Sequence, residues 1–208
     1  MIPGSAAPIL LPVVAGGGLT IGQSYQGGYY AGTITYNLES WLGGGTPSYQ
    51  LIVAPKASGE ASSTKQLKTS RTTTGTPSTT SSPRSNWDGY HNTYTSAVGT
   101  STVHPASNYC QGLTIGGYSD WYLPSKEEAK LAFSNLAYLT DWMSNGAEEF
   151  EIDGSSWYNL GFYWSSTEQT ITGAAGWYTD GAGGFAIIVN AFPKTETFWV
   201  RAIRRVAV

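Results

Sequence analysis

The stretch 116–125 reads Gly-Gly-Tyr-Ser-Asp-Trp-Tyr-Leu-Pro-Ser, and it decides more about the fold than any other part of the chain. Trp121 and Leu123 lie two positions apart, so in an extended segment both side chains point to one face, where they would enter a core. Ser119 and Asp120 are residues that turn the chain. The stretch therefore predicts a turn that leads into a short buried segment.

A helix is predicted directly after this stretch. Ser125 and Glu128 have the spacing of a capping box, in which each side chain bonds the backbone N–H of the other residue. Apolar residues then recur at helical spacing and would form a buried stripe: Ala129, Ala132, Phe133 and Leu136.

A second helix is predicted upstream of the stretch. Its apolar residues recur every three or four positions: Val103, Ala106, Tyr109, Cys110 and Leu113. Cys110 is the only cysteine, so an internal disulfide is excluded, and its position predicts a core thiol.

Strands are predicted on both sides of the helices. Two early ones, at 25–34 and 49–54, carry β-favouring residues next to Gly turns. The later ones lie between Gly-rich turns at 158–165, 176–179, 185–190 and 198–206. Helices in the middle and a late sheet indicate the α+β class. The Ser/Thr-rich excursion at 58–85 is either a mobile loop or a segment whose Thr residues pair along a sheet edge.

The first 18 residues are predicted to form an extended N-terminal docking arm that ends in a Gly hinge. Pro3, Pro8 and Pro12 interrupt the apolar run, and no Lys or Arg accompanies it, which argues against a signal peptide or membrane helix. The arm exposes apolar side chains for assembly: Ile9, Leu10, Leu11, Val13 and Val14. The alternative is a first strand of the following domain, which is predicted to span 19–208.

The composition narrows the class of partner. Charged residues make up 12% of the chain against roughly 25% in an average soluble protein, and the formal net charge is −3. The few Lys and Arg residues are spread along the chain, so no basic face is available and nucleic acid is not an expected partner; membrane insertion is not expected either. A surface of Ser, Thr, Gly and aromatic residues is typical of secreted, cell-surface and virion proteins.

Three segments, taken in order, resemble a known family: 116–125 quoted above, Tyr-Trp-Ser-Ser-Thr-Glu at 163–168, and Val-Arg-Ala-Ile-Arg-Arg-Val at 200–206. They are similar to the bacterial and phage domain of unknown function DUF1566. Gly-Gly-Tyr-Tyr at 27–30 and Leu-Ile-Val-Ala-Pro at 51–55 extend the resemblance to residues 25–206. That family is C-type-lectin-like, which implies two helices packed on a small twisted antiparallel sheet. It is related to sulfatase-modifying factors and to variable receptor-binding proteins.

Catalysis has little support in the sequence. Sulfatase-modifying relatives need reactive cysteines, and this chain has only Cys110. His91 and His104 lie in no recognisable nucleophile motif. The pairs Glu127-Glu128 and Glu148-Glu149 are interpreted as solvated surface and helix cap. Asn-Trp-Asp at 86–88 has a different order from the calcium motif of sugar-binding lectins, so the chain is predicted to use no metal and no cofactor.

The terminal arginines are interpreted as structural. Alternation places Val200, Ala202 and Arg204 on one face of a final strand, and Arg201, Ile203 and Arg205 on the other. We expect a buried arginine to pair with Glu168 or Asp120; a patch that binds an anionic ligand is the alternative.

The resemblance implies that ligand contacts lie between the Trp-Ser-Ser motif and the final strand, at 169–197. Rigid aromatic and polar groups are mixed there, as on recognition surfaces. The predicted contact residues are Gln169, Thr170, Thr172, Trp177, Tyr178, Phe192, Lys194 and Glu196. The alternative is that Trp177 and Phe192 belong to the core or to a subunit interface.

Together these features predict a non-enzymatic phage virion protein of the tail, fibre or head, whose lectin-like module binds a protein or glycan on the host surface. Its expected partners are other virion proteins and itself, as a homo-oligomer for which a fibre would favour a trimer. One alternative is a capsid decoration or tail assembly protein that uses the same module for subunit contacts. A bacterial surface adhesin is a second alternative.

Overall fold

The computed structural model describes residues 18–80, 82–95, 98, 102–142, 146–151, 161–178 and 187–208, with the backbone alone for 187–190. Its strands are β1 (Ser24–Tyr25), β2 (Gly28–Thr35), β3 (Ser48–Val53), β4 (Lys65–Gln66), β5 (Tyr163–Glu168), β6 (Gly173–Tyr178), β7 (Ile187–Pro193), β8 (Thr197–Phe198) and β9 (Ile203–Ala207). Its helices are α1 (Lys56–Gly59), α2 (Gly89–Tyr94), α3 (Pro105–Gln111) and α4 (Lys126–Leu136). The predicted docking arm, with Ile9, Leu10, Leu11, Val13 and Val14, lies outside the described residues.

The first sheet joins the early strands to the last strand of the chain. Its antiparallel order is β1-β2-β3-β9, and the register pairs Val53 with Ile203 and Tyr49 with Ala207. The turn between β1 and β2 contains Gly27 at φ +87, a left-handed conformation that suits glycine. The predicted early strand pair is confirmed, and β9 lies directly beside it.

The second sheet carries the later part of the chain. Its antiparallel order is β5-β6-β7, and the short strands β4 and β8 form a separate ladder. Two backbone hydrogen bonds fix β5 to the segment before β9: Trp164 N donates to Trp199 O at 3.0 Å, and Trp199 N donates to Phe162 O at 2.8 Å. The protein is thus a mixed α/β fold with a curled antiparallel sheet and few helices. None of the described helices has the length and apolar character needed to cross a bilayer.

The predicted helix α4 is confirmed together with its cap. Ser125 is the N-cap, and the reciprocal bonds of a capping box with Glu128 are both present. The stripe Ala129, Ala132, Phe133 and Leu136 is buried against β2 and the second sheet. A hydrogen bond from Asn135 Nδ2 to Ala31 O at 2.8 Å adds a polar link between α4 and β2.

Helix α3 is also confirmed, and Cys110 is a buried core residue. The helix is shorter than predicted because Pro105 occupies its first turn and Gly112 follows its end. Val103 therefore precedes the helix and is exposed, while Leu113 follows it and is half-buried.

The stretch 116–125 connects two hydrophobic clusters. Trp121 and Leu123 lie in one cluster with Trp164 and Ala202. Tyr122 points the other way, into a cluster with α4, and its backbone forms a two-way bridge to Ile203. Alternation along an extended segment puts these neighbours on opposite faces, and both faces are covered.

The Ser/Thr-rich excursion is largely irregular but is held against the domain. Its only described ladder is β4 with β8, which Lys65 and Gln66 form; its Thr residues are not in that ladder. Thr74, Ser82 and Ser85 are buried. The predicted final strand is interrupted, since Thr197–Phe198 and Ile203–Ala207 are separate strands and Arg201 bridges to Glu60 between them.

Candidate functional site

The connection between β5 and β6 forms a tight, exposed tip at the end of the second sheet. Gln169 N and Thr170 N both donate to Gly173 O at 3.0 Å, and Gly173 N donates to Thr170 Oγ1 at 2.8 Å. Ile171 at the tip is 61% exposed, which makes it one of the few large apolar side chains presented to solvent in the described chain. An aliphatic side chain on a well-bonded turn is available for contact with a partner.

A second turn, between β7 and β8, lies next to this tip. Lys194 N donates to Thr172 O at 3.1 Å, and Glu196 N donates to Pro193 O at 3.0 Å. Thr195 accepts from two side chains of the Ser/Thr-rich excursion: Gln66 Nε2 reaches its carbonyl oxygen at 2.8 Å, and Arg71 Nε reaches its hydroxyl at 3.2 Å. We call the surface formed by both turns and by Arg71, which bonds to Thr195, the tip surface; it comprises Gln169, Thr170, Ile171, Thr172, Thr195, Glu196 and Arg71.

The tip surface brings together half of the predicted contact residues. Thr170, Thr172 and Glu196 are exposed, and Gln169 is half-buried with its amide donating to Asn86 Oδ1 at 3.3 Å. Tyr178 and Phe192 lie apart from the tip as half-buried members of an aromatic group around Phe162, at ring distances of 5.2 and 5.1 Å.

Two predicted contact residues, Trp177 and Lys194, are in the interior, so their placement on a contact surface is corrected. Trp177 has no exposed area, because its indole is stacked between Phe133 at 3.9 Å and Tyr163 at 4.4 Å. Lys194 is also fully buried, and its ammonium pairs with Glu168 at 2.7 Å. For Trp177 the alternative of a core residue holds.

The Lys194–Glu168 pair supports the tip surface from beneath. Glu168 precedes Gln169 at the base of one turn, and Lys194 lies in the other turn. Thr74 links the pair to the excursion, since its hydroxyl donates to Glu168 Oε1 at 2.6 Å and its N–H to Oε2 at 3.3 Å. Buried pairs with these extra hydrogen bonds fix geometry, so both turns are held in place before any partner arrives.

His104 lies at the edge of the same network and is held neutral. Its Nε2 is 3.0 Å from Thr74 Oγ1. Burial, followed by the positive charges of Lys68 and Lys194, lowers the pKa of His104 from 6.5 to about 4. Because Thr74 donates its only proton to Glu168, the hydroxyl accepts from His104, which assigns the proton of the neutral ring to Nε2.

This shift predicts a pH-dependent stability. Between pH 6.5 and 4 the unfolded chain protonates His104 and the folded chain does not, so the contribution of His104 is fully present above pH 6.5 and is lost as the pH falls. We expect His104→Gln to lose less stability than wild type between pH 7 and 4.5. The difference should be roughly 1–2 kcal/mol, which allows for solvent screening. Urea unfolding of both proteins at pH 7 and at pH 4.5 measures the two losses of stability. Equal losses in the wild type and the variant would contradict the prediction.

The three terminal arginines form ion pairs, with partners that the sequence predicted only in part. Arg204 pairs with Asp120 at 2.8 Å, as expected. Arg205 pairs with Asp88 at 2.8 Å and lies over the Tyr49 ring. Arg201 pairs with Glu60 at 3.0 Å and with Glu148, so Glu168 is not an arginine partner.

Glu148, which was predicted at the surface, and Glu128, which was predicted as part of the helix cap, are both buried. Glu148 accepts from Arg201, from Lys56 N at 2.6 Å and from Tyr29 Oη at 3.2 Å.

Glu128 is fully buried. Besides its cap bond to Ser125 N at 2.8 Å, it accepts from Gly89 N, Tyr122 Oη and Tyr36 Oη. Burial raises the pKa of Glu128, while the donors around it oppose that shift. Its neighbour Glu127 is half-exposed.

Cys110 and His91, which were considered for catalysis in the sequence, are held in structural positions. Burial raises the pKa of the Cys110 thiol well above its usual range, so it stays protonated and unreactive. His91 is bonded to Ser82 O at 3.2 Å and packs against Trp41. No group of three or more His, Cys, Asp or Glu residues in this part of the chain is placed to hold a metal ion.

Comparison of the chain with protein-family models, with curated proteins and with solved structures finds no match.

Proposed function

We propose that the chain is a virion structural protein whose C-type-lectin-like module acts by binding, with the tip surface as its contact with a host-surface protein or glycan. The observation that carries the proposal is the exposed Ile171, flanked in the chain by the exposed Thr170 and Thr172, on a turn that a buried ion pair supports. A surface prepared in this way loses little conformational entropy when a partner binds.

Several features support the C-type-lectin-like assignment. The last strand lies beside the early strands, α4 packs on the first sheet, and the segments that carry the resemblance to DUF1566 form the centre of both clusters. The tip surface also lies between the Trp-Ser-Ser motif and the final strand, where the resemblance implies ligand contacts. The apolar arm would serve to attach the module to a neighbouring virion subunit.

Truncation of Ile171 tests the proposed contact. We expect particles that carry Ile171→Ala to bind host cells about tenfold more weakly, because burial of an aliphatic side chain contributes about 1–2 kcal/mol. An adsorption assay at several particle concentrations measures the change. Val208→Ala is the matched control, since Val208 is also aliphatic and exposed but follows β9 of the first sheet, whereas the tip belongs to the second sheet.

The same variants separate the two roles considered for this module. Weaker adsorption with intact particles supports host recognition. Failure of particle assembly in Ile171→Ala, with normal assembly of Val208→Ala, supports a capsid decoration or tail assembly protein that uses the tip surface between subunits. Normal adsorption and normal assembly would contradict both uses of the tip surface.

A further inference from the structure

The outer edge of β2 is open along the second half of the strand. On that side β1 pairs only with the first two residues of β2. Two backbone hydrogen bonds then join Tyr30 to the preceding turn, and the Asn135 side chain donates to Ala31 O. Beyond Ala31, no described residue bonds the outer backbone groups of β2.

The backbone register shows which groups this edge presents. Tyr36 N donates at 2.8 Å to the carbonyl oxygen of Pro47, the residue before β3, so Tyr36 bonds inward. The ladder runs without a bulge from Thr33 to Thr35. In an antiparallel pair, residues bonded to the neighbouring strand alternate with residues whose N–H and C=O point away from it. Thr33, Thr35 and Asn37 therefore present their N–H and C=O groups outward, and all three are exposed.

This edge lacks the features by which proteins usually block unwanted strand pairing. The sequence at 33–37 is Thr-Ile-Thr-Tyr-Asn, which contains neither a charge nor a proline. Half-buried apolar side chains lie beside it, since a Cβ added at Gly32 would be 3.4 Å from Leu131 and 3.6 Å from Ile21. An open backbone edge with an apolar border suits the addition of an apolar strand.

The residues before β1 leave this edge instead of continuing along it. An extension of the β1 register would place Thr20 opposite Thr33 and Gly18 opposite Thr35. Gln23 N instead donates to Thr20 O at 2.9 Å and closes a turn. A Cβ added at Gly18 would meet no described atom within 4 Å. The edge is thus accessible to a strand from a second molecule.

The predicted N-terminal arm contains a segment whose pattern suits the edge. In an extended strand, the N–H groups of alternate residues point to the same side. Pro8 and Pro12, which have no N–H, then fall on one side, and the N–H groups of Ile9, Leu11 and Val13 all fall on the other. Proline is tolerated in an edge strand where its nitrogen faces away from the ladder. One side of this segment therefore keeps every donor that pairing requires.

We propose that residues 9–13 of a second copy of the chain add a strand to the outer edge of β2. The N–H and C=O groups of alternate arm residues bond the outward groups at 33–37, and the apolar side chains cover the border beside Gly32. The inference rests on the attachment role given to the arm in the proposed function. It is independent of the tip surface, because β2 belongs to the first sheet.

Cross-linking through introduced cysteines tests which strand occupies the edge. Leu11→Cys and Thr35→Cys chains are co-expressed, one of them with a size tag, and treated with a short bismaleimide. Cys110 is buried and its thiol is unreactive. We expect mixed pairs of tagged and untagged chains.

Three other outcomes would each overturn the proposal. Links between two Thr35→Cys chains in place of mixed pairs would show that two β2 edges pair with each other. A link within a chain that carries both substitutions, without mixed pairs, would show that the edge takes the arm of its own chain. No cross-link at all would show that the arm does not reach the edge.

Two variants of the arm test the predicted register. Leu11→Pro removes an N–H that faces β2, and Leu10→Pro, the matched control, removes one that faces away. We expect Leu11→Pro to weaken association between copies about tenfold and Leu10→Pro to change it less than about twofold. Sedimentation of the full chain over a range of concentrations measures both. Equal effects of the two variants, or a wild type that stays monomeric, would overturn the proposal, whereas the adsorption assay of Ile171→Ala would be unaffected by either result.

Discussion

Arg201→Met is expected to lower the free energy of unfolding at pH 7 by about 3–5 kcal/mol, because it leaves buried carboxylates without their cation. Arg201 is enclosed, and its guanidinium pairs with Glu60 and Glu148. Its Nε donates to Ala54 O at 2.8 Å, and its planar group lies 4.8 Å from the Trp142 ring. Methionine fills similar volume but offers none of these donors. Urea or guanidinium unfolding measures the loss.

The same variant should recover stability in acid. Burial already raises the pKa of Glu60, and Arg201 is the main opposing influence. Without Arg201 the pKa of Glu60 in the folded state rises further, so the variant takes up a proton on folding. Its stability is then greatest at low pH and falls as the pH rises through that pKa. The difference in free energy of unfolding between Arg201→Met and wild type should be smaller at pH 5 than at pH 7.

Arg204→Met is the matched control for this prediction. Arg204 belongs to the same end of the chain, but its partner Asp120 is partly exposed, with 42% of its side chain open to solvent. An ion pair with such access contributes about 1 kcal/mol or less. Equal losses in the two variants would show that burial of the carboxylates is not the cause.

The partners of the arginines show what local sequence can and cannot predict. Asp120 lies in the stretch that the sequence marks as a turn, and its pairing with Arg204 was predicted. Glu60 and Glu148 are far from Arg201 in the chain, and nothing near them in sequence indicates burial. Glu148-Glu149 resembles a surface pair, yet only Glu148 turns inward; Glu149 lies beside Lys56. Such choices depend on tertiary packing.

The helices also show that local signals can be predicted from the sequence and tertiary contacts cannot. Helix α4 was predicted because its cap and its apolar stripe are both local signals. Helix α2 was missed because Gly89-Tyr90-His91-Asn92 has no apolar periodicity. It is stabilised instead by the Asp88 cap, which accepts from His91 N at 2.7 Å, and by Glu128, which accepts from Gly89 N at 3.1 Å. The second of these bonds comes from a distant part of the chain.

The sequence contains a signal for the burial of Trp177, although the mixture of aromatic and polar residues at 169–197 had indicated a contact surface. The strand β6 begins Gly-Ala-Ala-Gly, and such small residues on both faces indicate that neighbours approach closely from both sides. Residues 173–177 are all buried. Lys194 had no comparable signal, since its buried partner Glu168 belongs to another strand. The exposed turn 169–172 was predictable because polar residues there follow a core strand.

Trp177→Ala is expected to lower the free energy of unfolding by about 3–5 kcal/mol, since it removes a large side chain from a packed core. The indole is stacked against Phe133 and Tyr163, and it makes a T-shaped contact with Phe150 at a ring distance of 5.4 Å. Alanine would leave a cavity that α4 and β5, held by their own hydrogen bonds, cannot close. Denaturant unfolding measures the loss, and Tyr178→Ala, at the half-buried next position, should cost clearly less.

Trp177→Phe distinguishes a core residue from a contact residue. The indole Nε1 has no hydrogen-bond partner among the described residues, so phenylalanine loses packing area but no hydrogen bond. We expect a smaller loss of stability, about 1–2 kcal/mol, with partner binding unchanged at temperatures where the variant is folded. The opposite pattern, with wild-type unfolding and weakened binding, would place Trp177 on the contact surface. Because Ile171→Ala should weaken binding without destabilising the fold, the two substitutions together separate the tip surface from the core that supports it.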